Sequence, residues 1–143
     1  YSWAMLLLVG LLAWNSTTRG GNIEDAARII NLGYKQGEVV YHATGTSYLP
    51  FDQYLDQDIP QLIMDIPQAA ALLRPELAAA FGGQYSDLSD DQPAWIVYAR
   101  DPVINGVGAQ YMDDLTSNVR ARLITVVRGW QFAPIEVYYR GAK

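Results

Sequence analysis

Three short apolar runs restrict the fold more than any other feature of the sequence. They are "EVVYHA" at residues 38–43, "QLIMDI" at 61–66 and "AWIVYAR" at 94–100. A strand with one wet face alternates apolar and polar side chains. A continuous apolar run instead suits a strand covered on both faces, as in a parallel sheet. Between such runs lie stretches with helical periodicity. "NIEDAARIINLGY" has acids in its first turn and apolar residues at Ile23, Ala26, Ala27 and Ile30, with Asn22 as the expected N-cap. Lys35-Gln36-Gly37 turns the chain into the first strand, and Pro50 is expected to open the next helix.

The remaining segments continue the pattern. Pro67 is expected to start a helix through Leu73, Pro75 to restart it and Gly82-Gly83 to stop it. "QYSDLSDDQP", residues 84–93, reads as a polar, exposed loop. Residues 109–123 read as an amphipathic helix, with Met112, Leu115 and Val119 on one face and Arg120 and Arg122 near its end. "ITVVRGW" and "APIEVYY" read as two strands of a hairpin. The expected fold is a three-layer α/β sandwich: a mainly parallel sheet, helices on both faces and an antiparallel C-terminal edge hairpin.

The first 14 residues, "YSWAMLLLVGLLAW", carry no charge and run into the polar "NSTTRGG". As a helix they would span about 21 Å, short of the roughly 30 Å hydrocarbon core. There is no basic region before them and no small-residue cleavage site, so a signal peptide is disfavoured. The segment reads as the end of a transmembrane helix, with Trp14 at the lipid–water interface. A buried or swapped core helix is the alternative. The expected organisation is therefore a membrane segment at 1–14, a linker at 15–21 and an extramembrane α/β domain at 22–143. Arg19 is the only cation near the membrane end, which favours the extracytoplasmic side.

Composition removes several function classes. A net charge of -5 gives no basic footprint for nucleic acid. The chain has no cysteine, which excludes thiol catalysis, disulfides and cysteine-based metal centres. "TGTS" lacks the glycines and lysine of a phosphate-binding loop, "NGVGAQ" lacks the full dinucleotide fingerprint, and no G-x-S-x-G elbow occurs. Asp87, Asp90 and Asp91 lack calcium-loop spacing. Neither a cofactor nor a metal is expected.

Open α/β sheets bind ligands beyond the carboxyl ends of their strands. There the sequence places His42, the chain's only histidine, with Asp65, Arg100 and Asp101, and with Thr44, Thr46 and Ser47 beside them. Such a group suits a general acid/base pair or a metal site of two carboxylates and one imidazole. The structural alternative is that the acids cap turns and the histidine is a satisfied core residue.

The apolar helix end, "NIEDAARIINLGYKQGEVVYHATGTSYLPFDQYL", "PAWIVYARDP" and "FAPIEVYYR" together resemble the C-terminal tail of membrane-embedded glycosyltransferases. These are the enzymes that use polyprenyl-phosphate sugars and are related to protein O-mannosyltransferases and the aminoarabinose transferase. Pro50, Phe51 and Tyr54 match the family's Pro-Phe-x-x-Tyr-like helix. The resemblance implies a small α/β domain outside the cytoplasmic membrane, following the last transmembrane helix. The family's catalytic acids lie far upstream, so it implies no catalytic residue in this chain. It implies as partners membrane lipid through residues 1–14, the rest of a multi-helix membrane protein, and a lipid-linked sugar or glycan acceptor. Two other expectations compete: a single-helix subunit docking in a larger membrane complex, and a small hydrolase using the strand-edge residues.

Overall fold

The computed structural model describes residues 21–43, 45–64, 79, 82–88, 91–100, 112–114, 116–117, 121–129 and 133–141. Helix α1 spans Asn22–Gly33, strand β1 Val39–His42, helix α2 Gly45–Asp52 and strand β2 Gln61–Met64. Strands β3 (Tyr85–Ser86), β4 (Ala94–Ala99), β5 (Arg122–Val127) and β6 (Ile135–Arg140) follow. They form one sheet in the order β3-β2-β1-β4-β6-β5. The first four strands are mutually parallel, whereas β6 runs antiparallel to β4 and to β5. The three apolar runs lie side by side at the centre, where both faces are covered. Their sequence pattern required that position, and the fold is the expected mixed α/β sheet.

Each face carries its own core. Ile23, Ala26, Ala27 and Ile30 of α1 pack with Phe51 of α2 onto Val40, Trp95, Val97 and Val137. The opposite face gathers Val39, Tyr41, Ile96, Tyr98 and Tyr138, and is covered by Met112 from helical residues 112–114. Gly33 lets α1 sit on the indole of Trp95: a Cβ there would lie 2.7 Å from the ring.

Four local expectations are corrected. Gly21, not Asn22, occupies the N-cap of α1. Asn22 is buried as the first helical residue, and its Nδ2 donates to the Ala133 carbonyl at 2.9 Å, so a tertiary acceptor takes the side chain that local capping would have used. Helix α2 begins at Gly45, and Pro50 lies inside it. The polar stretch at 84–93 contributes a strand, because Tyr85 and Ser86 pair with Ile63 and Met64 at the sheet edge. The helix expected over 109–123 yields before Arg122, which pairs with Tyr139 as β5 begins. Strand β5 is an edge strand whose half-exposed side chains alternate poorly, and its register shifts between Leu123 and Thr125. That is why its start is hard to read in sequence.

The helices expected after Pro67 and Pro75 lie almost wholly outside the described residues, as do the apolar segment at 1–14 and linker residues 15–20. No helix among the described residues is long and apolar enough to cross a membrane.

Candidate functional site

From β1 the chain moves outward through β2 to β3, then crosses back to β4 on the other side of β1. This reversal makes β1 and β4 a topological switch point, the position at which open α/β sheets generally bind their ligands. His42 ends β1 and pairs with Val97 of β4, and Arg100 follows the end of β4.

His42 is fully buried on the face covered by α2. Its ring stands edge-on to Tyr48 and Phe51, with centroids 5.6 and 5.3 Å away. Nδ1 lies 2.9 Å from Ser47 Oγ and Nε2 lies 3.0 Å from Gln61 Oε1. Gln61 Nε2 in turn donates to Asp52 Oδ1 at 3.2 Å. A carboxylate only accepts, so the Gln61 amide nitrogen faces Asp52 and its oxygen faces His42. The imidazole proton therefore sits on Nε2, and Nδ1 accepts from the Ser47 hydroxyl. Burial pulls the imidazole pKa down to about 4, against the bond that Nε2 donates to Gln61, which raises it. The connectivity Ser47–His42–Gln61–Asp52 has the form of a relay. A base this weak, sealed under two aromatic rings, holds α2 against β1 rather than taking a proton at neutral pH.

Arg100 lies over the Tyr98 ring, 5.4 Å from its centroid, and Tyr98 belongs to the opposite core. The sheet itself thus separates Arg100 from His42. The Arg100 guanidinium grips Glu136 with two bonds, Nε to Oε1 at 2.7 Å and Nη2 to Oε2 at 3.2 Å, and reaches Asp113 Oδ1 at 3.4 Å. Tyr138 Oη donates to Glu136 Oε2. The bond to Glu136 is the main cause that raises the Arg100 pKa. Burial, then the Glu136 bond, pushes the Tyr138 phenol up.

Of the seven residues expected at this edge, the structure joins His42 to Ser47 and places Arg100 on the other face. Thr44, Asp65, Asp101 and the side chain of Thr46 lie outside the described residues. Among the described residues, no group of three or more His, Asp or Glu is placed to hold a metal ion.

Sequence reasoning missed Gln61, Asp52, Glu136 and a second buried acid, Glu38. Its signal for Glu38 and Glu136 was available: each is a lone carboxylate in an apolar β-run. Such an acid needs a buried partner. A cavity of about 470 Å³ opens beside Gln61, lined also by Tyr48, Asp52, Asp56, Gln57 and Gln84. Its amides and carboxylates offer hydrogen bonds to a polar molecule.

Tyr98 is buried, and its hydroxyl has no hydrogen-bond partner among the described residues. Tyr98→Phe should therefore raise stability by about 1 kcal/mol, because an unsatisfied buried hydroxyl is removed. Urea unfolding checks this; a lower midpoint would reveal a partner for the phenol.

No known family model matches the chain, and no curated protein matches it.

Proposed function

We propose that residues 22–143 form a non-catalytic accessory domain of a membrane-embedded glycosyltransferase that uses a lipid-linked sugar donor. The domain sits on the extracytoplasmic side, follows a transmembrane helix ending near Trp14, and covers the embedded active site or positions an acceptor. The resemblance to the tail of that family supports this reading, as does the uncharged stretch at 1–14. The observation that carries its non-catalytic part is the state of the only histidine. Both ring nitrogens of His42 are bonded inside an aromatic cage, and its pKa of about 4 suits scaffold duty.

Two measurements test the reading. The first is the reading frame upstream of Tyr1. Many further hydrophobic spans agree with a transferase tail, and a start within a few residues of Tyr1 points instead to a single-helix subunit of a larger membrane complex. The second is turnover of a polyprenyl-phosphate sugar by the purified chain. None is expected; turnover lost in His42→Gln would overturn the accessory role.

A further inference from the structure

We infer that the cavity beside Gln61 binds a neutral sugar ring, through the Tyr48 hydroxyl, the Gln61 and Gln84 amides and the carboxylates of Asp52 and Asp56. The inference goes beyond the accessory role proposed above, which names no binding residue, and it rests on the chemistry of the cavity alone.

The cavity lies between α2, the turn that leads into β2 and the residue before β3, and its volume is about 470 Å³. That falls within the ~300–1,000 Å³ of small-molecule sites. Its frame is fixed by backbone bonds. The Ile63 amide donates to the Gln84 carbonyl at 2.8 Å, the Ile59 amide to the Asp56 carbonyl at 3.0 Å and the Asp56 amide to Asn31 Oδ1 at 3.2 Å. Within that frame Gln61 is held at both ends, its oxygen by His42 Nε2 and its nitrogen by Asp52 Oδ1. The second Gln61 N–H and the second Asp52 oxygen bond nothing among the described residues and are free for a ligand. The buried histidine thus fixes the orientation of two cavity groups before anything binds, which lowers the ordering cost of binding.

Tyr48 is the residue that asks for a ligand. Its side chain is buried, with 5% of the residue exposed, and it lines the cavity. Its hydroxyl lies at the cavity wall formed by Gly82, where a Cβ would stand 4.0 Å from Oη. That hydroxyl bonds none of the described residues. Burial and then the Asp52 charge raise its pKa, so it stays protonated and able to donate. A hydroxyl taken out of bulk water needs a partner, and the cavity is the space in which one fits.

The lining selects the class of molecule. Among the described residues around the cavity there is no Lys, Arg or His, and there are two carboxylates, so a phosphate or a carboxylate is repelled. An ammonium group only donates, which leaves the Tyr48 hydroxyl and the Gln61 and Gln84 N–H groups without an acceptor. A sugar hydroxyl both donates and accepts. One ring can therefore take protons from Tyr48 and the amides while giving its own to Asp52 and Asp56. Leu55, Ile59 and Leu62 line the same cavity and match the C–H face of a pyranose.

The test is a titration of the ¹⁵N-labelled 143-residue chain, held in a zwitterionic detergent without a sugar headgroup. The probes are the methyl glycosides of glucose, mannose and galactose, with anionic glucuronate and the diamine putrescine as contrasts. At least one neutral glycoside is expected to move the side-chain NH2 signals of Gln61 and Gln84 at millimolar concentration, and to do so at lower concentration than either contrast. Tyr48→Phe should weaken that binding by roughly five- to tenfold, the loss of one hydrogen bond, and leave the unfolding midpoint in place. Gln84→Ala, at an exposed side chain, should weaken it similarly, because the backbone carbonyl that bonds Ile63 is kept. No response to any neutral glycoside overturns the site, as does binding that neither substitution weakens in a folded chain. A response to putrescine or glucuronate alone overturns the sugar assignment. Each of these failures is separate from the accessory reading, which the upstream reading frame and the turnover assay decide.

Discussion

Glu38→Ala should destabilise the domain by roughly 3–5 kcal/mol, a large share of the ~5–15 kcal/mol that holds a domain of this size. Glu38 is buried immediately before β1 and accepts three hydrogen bonds. Trp95 Nε1 and the Lys35 amide donate to Oε2 at 2.8 and 2.9 Å, and Tyr139 Oη donates to Oε1 at 2.7 Å. Those donors come from the turn after α1, from β4 and from β6, so one carboxylate ties the helix end to three strands of the sheet. The bond to Glu38 is also the main cause that raises the Tyr139 phenol pKa. Removing the carboxylate leaves a buried indole N–H, and a half-buried phenol and main-chain amide, without their acceptor. Glu38→Gln keeps one acceptor oxygen but turns an NH2 group toward the donors, so its loss should be smaller. Urea denaturation of the two variants gives the comparison. A Glu38→Ala loss below about 1 kcal/mol would show that water replaces the carboxylate there.

The second large effect is with pH. His42 has a folded pKa of about 4 against an ordinary value of 6.5. Between these values the unfolded chain binds a proton that the folded domain refuses, so acid favours unfolding. The stability linked to His42 is fully present above pH ~6.5 and is lost progressively as the pH falls to about 4. At roughly 1.4 kcal/mol per pH unit the loss amounts to about 3 kcal/mol. Because the chain has one histidine, its imidazole proton resonance can be followed without assignment. The shift should stay flat from pH 8 to about 5 and move only near 4. A midpoint near 6.5 would show that the ring is open to water and would revive His42 as a base.

These two residues show how unevenly the site was legible. Glu38 and Glu136 are lone acids in apolar runs, and the run itself says that each must find a buried partner. It does not say which one. Trp95 lies 57 residues from Glu38 and Tyr139 lies 101 away, while Arg100 lies 36 from Glu136. Only chain crossing brings them together. The Asn22 expectation failed for a related reason: a long-range acceptor, the Ala133 carbonyl, competed with the local cap and won.

What the sequence determined by itself is the kind of sheet and its most buried strands. Unbroken apolar runs over β1 and β4 admit no wet face, and the helical stretches between strands impose parallel crossovers. What only the tertiary structure decided is which side of the sheet each polar residue faces. His42 pairs with Val97, whose neighbour Tyr98 points the other way and carries Arg100 with it. Side chains alternate with a period of two, so a one-residue difference in register moves a group from one core to the other. Two residues that share an edge in the sequence pattern are thus divided by the sheet's own thickness, each satisfied by a different set of partners.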